Sequence, residues 1–248
     1  MAPLRRMKDP TKAGRLVRQN ERRLVAFFRD YKAQVVRALH QSTHQLAAPP
    51  PEINFVAFAD DVSELFTEIL KREGKAITDG LVEGGYKQGI TFADLALKRA
   101  GLAGTITTAG PLDWRAMDVL KVRNLTALKG IGEETNRAII RELSEGLQRG
   151  ESIPNLTRRI SDRVDGIGIH RARLMARTET MYACNEGAKV RYAQHGIEKV
   201  EWLTAWDDRV CPDCAALNGK VFTIAQAPPC PLHVQCRCTL MPVIEEQK

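Results

Sequence analysis

Five of the six cysteines fall within one short stretch, in the order Cys211-Pro-Asp-Cys214, eighteen residues, then His233-Val-Gln-Cys236-Arg-Cys238. Two paired-ligand elements about 15–20 residues apart is the common spacing of a structural zinc site. A C-x-x-C turn points two thiolates at one cation, and a second pair from the far end of the loop completes a tetrahedron. The ion lowers the thiol pKa values, so the ligands are anionic when bound. The gain is folding energy for a segment with little core of its own. Five donors compete for four places. Cys211, Cys214, His233 and Cys236 are the simplest set, and Cys238 can replace His233 or Cys236. Cys230, between Pro229 and Pro231, is the poorest candidate. Two other states fit the same residues: reduced thiols packed as small apolar side chains, or disulfides in an oxidising setting. The expected cofactor is Zn2+ in a structural role. A catalytic zinc needs an open position and a nearby acid or base. The H-x-E of zinc deaminases and the H-E-x-x-H of zinc hydrolases are both absent.

Charge is the second constraint. The net charge is +7, yet residues 1–37 hold eleven basic against three acidic side chains, so the remainder is close to neutral. The basic character belongs to an N-terminal arm carrying Arg5, Arg6, Lys8, Lys12, Arg15, Arg18, Arg22 and Arg23. Such a block suits a polyanion or an acidic protein surface, and it also suits a solvated helix face. No apolar run follows the basic N-terminus, so a secretory signal is not expected. Nothing is long and apolar enough to span a bilayer, and a membrane role is not expected.

Hydrophobic periodicity organises the rest. Val17, Leu24, Phe28, Tyr31, Val35 and Leu39 share one helical face, predicting a helix from about Thr11 to Leu46 that Pro49-Pro50-Pro51 ends. Phe55, Phe58, Val62, Leu65, Phe66 and Ile69 predict a second helix, weakening at Gly74 and at Gly84-Gly85. Thr91 reads as the N-cap of a further short helix. Residues 101–110 read as a loop. Asp113 caps a helix to about Leu128, Gly130-Ile131-Gly132 breaks it, and Glu133 to Gln148 forms the next. Ser152 and Pro154 open a helix to about Val164. Gly166-Ile167-Gly168 breaks that one, and a long helix runs from His170 to Gln194 with Gly196 as its stop. Both glycine breaks also resemble the helix-hairpin-helix loop that offers backbone N–H groups to phosphate. Lys199–Trp206, Lys220–Ile224 and Thr239–Ile244 are candidate strands. Trp202 and Trp206 would share a face behind the cysteine loop, Cys184 would be buried, and His195 would sit at a helix end. The fold class is α+β: mostly helical, with a small C-terminal antiparallel sheet and a zinc-knuckle-like loop. The expected domains are 1–48, 52–110 and 111–248, with the knuckle at about 199–244.

Ala176-Arg177-Thr178-Glu179 on the long helix, then Asn185, Tyr192, Gly196, Trp202, Asp207, Arg209, Cys211, Cys214, Leu217, Gly219 and His233-x-x-Cys236-Arg237-Cys238, resemble the phage Mu F-like head morphogenesis, or minor capsid, family. The resemblance covers roughly residues 115–245. It implies a non-enzymatic, few-copy protein inside the phage head near the portal. Its implied partners are the portal and other head proteins, with packaged double-stranded DNA as a further contact. Its implied location is the virion interior, with host cytoplasm during assembly. No catalytic residue comes with the family. Arg177 and Glu179 are two apart on a helix and do not face each other. The expected ion pairs therefore join one of them to Asp207 or Arg209, tying the helix to the knuckle. Two other functions compete: a metal-dependent nuclease or toxin-like effector, and a non-specific DNA-binding module.

Overall fold

The computed structural model describes residues 10–44, 55–102, 113–205 and 207–244. The expectations for Arg5, Arg6, Lys8, the triple-proline linker, most of the 101–110 loop and Trp206 lie outside the described residues. The α+β class holds: the chain is mostly helical, with a small antiparallel sheet near the C-terminus. Helices α1 (Gly14–His44), α2 (Phe55–Ile69), α3 (Lys75–Arg99), α4 (Trp114–Gln148), α5 (Ile153–Arg163) and α6 (His170–Gln194) come first. Strand β1 (Lys199–Leu203), the short helix α7 (Pro212–Leu217), β2 (Val221–Thr223) and β3 (Thr239–Pro242) follow. Among the described residues no helix is long and apolar enough to cross a membrane.

The chain forms two compact units, each assembled from separated stretches: residues 1–20, 79–122 and 176–248 in the first, and 21–78 and 123–175 in the second. The second unit is built around aromatic rings. Phe27, Phe28, Tyr31 and Phe66 meet edge-on or stacked at centroid distances of 5.3–6.4 Å, within the favourable range for such pairs. The Tyr31 hydroxyl donates to Asn136 Oδ1, so the buried polar group is satisfied.

That aromatic core corrects both glycine breaks. Gly130 and Gly132 lie inside one uninterrupted helix, α4, so no loop presents free N–H groups there. A Cβ on Gly132 would collide with the Phe66 ring. Residues Val164–Ile169 are a π-helical stretch joining α5 to α6, and a Cβ on Gly168 would lie 2.6 Å from the Phe28 ring. The second glycine of each motif makes room for a phenylalanine and does not end a helix. Likewise the weakening at Gly74 is a π-helical stretch, Leu70–Gly74, between α2 and α3. Thr91 is not a cap: it lies within α3 and its hydroxyl donates to the Lys87 carbonyl.

The first unit positions the cysteines. Its sheet runs β2-β1-β3, all antiparallel, with Val200 opposite Phe222 and Trp202 opposite Leu240. Val200 and Trp202 are two apart, so both point to the covered face, and both are fully buried. α6 packs there through Tyr192, whose hydroxyl donates to the Leu240 carbonyl, and through Asn185. The Asn185 amide nitrogen donates to the carbonyls of Met181 and Cys238. Its oxygen accepts from the Thr239 hydroxyl and the Leu240 N–H. This buried amide therefore fixes the strand that leaves Cys238. Asn185→Leu keeps the volume and strands those partners, and each unmade buried bond costs about 1–3 kcal/mol. Denaturant unfolding should show a loss of about 3 kcal/mol.

Candidate metal centre

Cys211 is the N-cap of α7. Its sulfur accepts from the Cys214 N–H at 3.4 Å, and Pro212 follows at the first helical position, where a missing N–H costs nothing. The C-x-x-C turn thus aims both sulfurs the same way. From the far end of the loop His233 brings Nε2 to 3.1 Å from Cys211 Sγ and 3.2 Å from Cys214 Sγ. Cys236 Sγ lies 3.6 Å from Cys214 Sγ. The donors form two overlapping triplets, Cys211–Cys214–His233 and Cys214–Cys236–Cys238, which share Cys214. Cys230 is buried and belongs to neither. All six cysteines are free thiols.

Within each triplet the separations are of the size that ligands of one small ion adopt. Zinc–sulfur bonds of about 2.3 Å set tetrahedral edges of about 3.8 Å, and sulfur–nitrogen edges are a little shorter. The imidazole is oriented for the task. Nδ1 lies 2.9 Å from the Val234 carbonyl, an acceptor only, so Nδ1 carries the proton and the Nε2 lone pair faces the two sulfurs. The cluster could hold a metal.

Thiol ionisation is uneven across the cluster. The N–H of Cys214 pulls the Cys211 thiol below its ordinary value. Burial pushes Cys214 up to about 12. The Cys238 thiol holds Cys236 down to about 5, and Cys238 is itself pushed well up by Cys236. The four sulfurs are 2% exposed or half-buried and pack with Trp202, Tyr192 and Leu240 into one apolar cluster.

Asp207 braces the rim. Both terminal nitrogens of Arg237 donate to its carboxylate at 2.5 Å, and Arg209 adds its backbone N–H and one guanidinium nitrogen at 3.1 Å. Arg237, above all, holds the Asp207 carboxyl well below the usual carboxylate range. Asp207 thus pairs with Arg209 and, more strongly, with Arg237, which sequence reasoning missed although it stands between two ligand candidates; the expected tie from Arg177 to Asp207 is not among the ion pairs of the described residues. Thr178 contacts the knuckle from α6, accepting from the Gln235 N–H at 3.1 Å. Gln235 adopts φ 63°, which turns that N–H toward the helix. Glu179 is buried on α6, and Arg177 is half-buried. Of the arm, Lys12, Arg15, Arg18, Arg22 and Arg23 are exposed.

Residues 137–241, less than half of the chain, match the family model described as Phage Mu protein F like protein. Over that stretch the chain is similar to the Mu F-like family. The matched segment begins within α4 and ends in β3, so it contains every sulfur and imidazole donor of the cluster. An uncharacterized protein of Methanocaldococcus jannaschii is 31% identical over 137 residues, which is 53% of this chain. The chain spans about a fifth (21%) of that relative's length. No solved structure matches the chain.

Proposed function

We propose that this chain is a non-enzymatic head morphogenesis protein of a tailed phage, a minor capsid component acting inside the head near the portal. The Mu F-like match supports the head assignment. The structural reading rests on one observation: Cys214, Cys236 and Cys238 are buried in the core against the sheet, with Cys211 half-buried and His233 exposed. The residues lining the small cavity at the cluster include thiols, the imidazole and two arginines but no carboxylate. A nuclease would need a base beside an open metal position. Asp207, close by in sequence, is engaged by Arg237 and Arg209.

In this reading Cys211, Cys214, His233 and Cys236 hold zinc, and Cys238 donates to Cys236. A bound zinc supplies positive charge that keeps the thiolates deprotonated and clamps the loop between β1 and β3. Binding must displace the Cys214 proton, so acid competes with the metal. Lowering the pH from 8 toward 5 should release zinc, read by a chromogenic chelator, with affinity falling about tenfold per pH unit for each proton displaced. Affinity that is flat over this window would contradict thiolate ligation.

The exposed cations of the arm contact packaged DNA or acidic surfaces of the portal. Phosphate contacts of that kind weaken steeply with salt. The functional test is quantitative mass spectrometry of purified heads, with and without packaged DNA, alongside plasmid incubation. The proposal predicts a few copies per head and intact plasmid. Its absence from heads, or plasmid cleavage abolished by chelator, would contradict it.

A further inference from the structure

A cleft of roughly 400 Å³ opens beside the knuckle, lined by Gly14 and Val17 of α1, Arg177 and Met181 of α6, and Asp207, Arg209 and Arg237 among others. Three guanidinium groups thus face one carboxylate. Asp207 is saturated by Arg237 and Arg209, and this bracket holds both arginines in place on the wall. Arg177 is different. It is half-buried and has no acidic partner among the described residues, yet it lines the cleft. A half-buried guanidinium without an acceptor is costly unless something supplies oxygen atoms. Two more observations carry the same sign. The first residue of the 31-residue helix α1 lines the cleft, so the positive pole of its dipole lies there. Arg18 stands one turn beyond Gly14 on the same helix face and is exposed.

We infer that this cleft is a phosphate-binding site, with Arg177 as the residue that engages the oxyanion and Asp207 as the residue that positions Arg209 and Arg237. Guanidinium forks match phosphate oxygens in pairs, and each Arg keeps donors beyond those spent on Asp207. The phosphate belongs either to a free oxyanion or to the diester of a nucleic-acid strand. The site does not depend on the family reading, and it shares the knuckle loop, whose His233 also lines the cleft.

The full-length protein, Arg177→Gln, Arg177→Lys and Arg209→Gln should be titrated at fixed low ionic strength with two probes: inorganic phosphate by calorimetry, and a labelled short oligothymidylate by anisotropy. At least one probe should bind the parent protein. Arg177→Gln should weaken it about tenfold or more, with Arg177→Lys between the two. A response of the oligonucleotide alone assigns the diester, and a response of phosphate assigns the free ion. The Arg177 side chain makes no hydrogen bond among the described residues, so unfolding curves of its variants should overlay the parent. If they do not, Arg209→Gln, at an exposed position, carries the same test with weaker binding expected. Two results would overturn the site: neither probe binding the parent, or Arg177→Gln and Arg209→Gln both binding as tightly as the parent does. Equal competition by a polyglutamate peptide against the oligonucleotide would also overturn it.

Discussion

Replacing Cys214 with serine should strip the bound metal and lower stability by about 5 kcal/mol or more. Cys214 is the donor common to both triplets and is 2% exposed, so its loss breaks both at once. The metal's binding energy is folding energy here, because the segment between β1 and β3 contains one six-residue helix and one three-residue strand. Cys230→Ser is the matched control. Cys230 is equally buried but lies in neither triplet, so it should keep the metal and lose only about 1–3 kcal/mol for an awkward hydroxyl. Thermal unfolding with and without chelator separates the two. Chelator should lower the midpoint of the Cys230 variant and leave that of the Cys214 variant unchanged. Equal behaviour would mean that the sulfurs serve only as packing.

Gly89→Ala should cost about 3 kcal/mol, and Gly130→Ala should stabilise by about 0.5–1 kcal/mol. A Cβ on Gly89 would strike the Cys184 carbonyl, a backbone atom that cannot move without separating α3 from α6. Gly187 meets the Tyr86 carbonyl in the same way, and a Cβ on Gly85 would lie 2.7 Å from the Ala183 Cβ and 2.9 Å from the Thr180 carbonyl. The two helices approach backbone to backbone along these glycines, which sets the angle at which Asn185 and Tyr192 reach the sheet. Gly130 is exposed inside α4 with nothing near its added methyl, so alanine there gains only helix propensity. Denaturant unfolding of both variants decides between packing glycines and breaking glycines: destabilisation at Gly130 would restore a break in the middle of α4.

The same glycines explain where sequence reading failed. Periodicity located the long helices because their apolar faces are regular, and α6 ends at Gly196 with φ 70°, as a C-terminal stop requires. Gly130-Ile131-Gly132 and Gly166-Ile167-Gly168 look like turns in one dimension. Their meaning depends on Phe66 and Phe28, which are distant in sequence. A missing side chain is ambiguous until the neighbour that fills its space is known. Strand positions were legible from alternation around Trp202, although β1 stops at Leu203. At the knuckle the spacing of donors pointed to the two triplets the structure forms, Cys211–Cys214–His233 and Cys214–Cys236–Cys238. The supporting groups were not legible. Arg237, Thr178 and the fourfold use of Asn185 depend on how α6 lies against β3, which no local pattern encodes.

The central claim is that the thiols and the imidazole converge on one ion. Elemental analysis of the purified chain, refolded with equimolar zinc and desalted, tests it most directly. One zinc per chain, retained by the parent and absent from Cys214→Ser, is the expected result. A parent chain that folds to the same stability with no bound metal would contradict it.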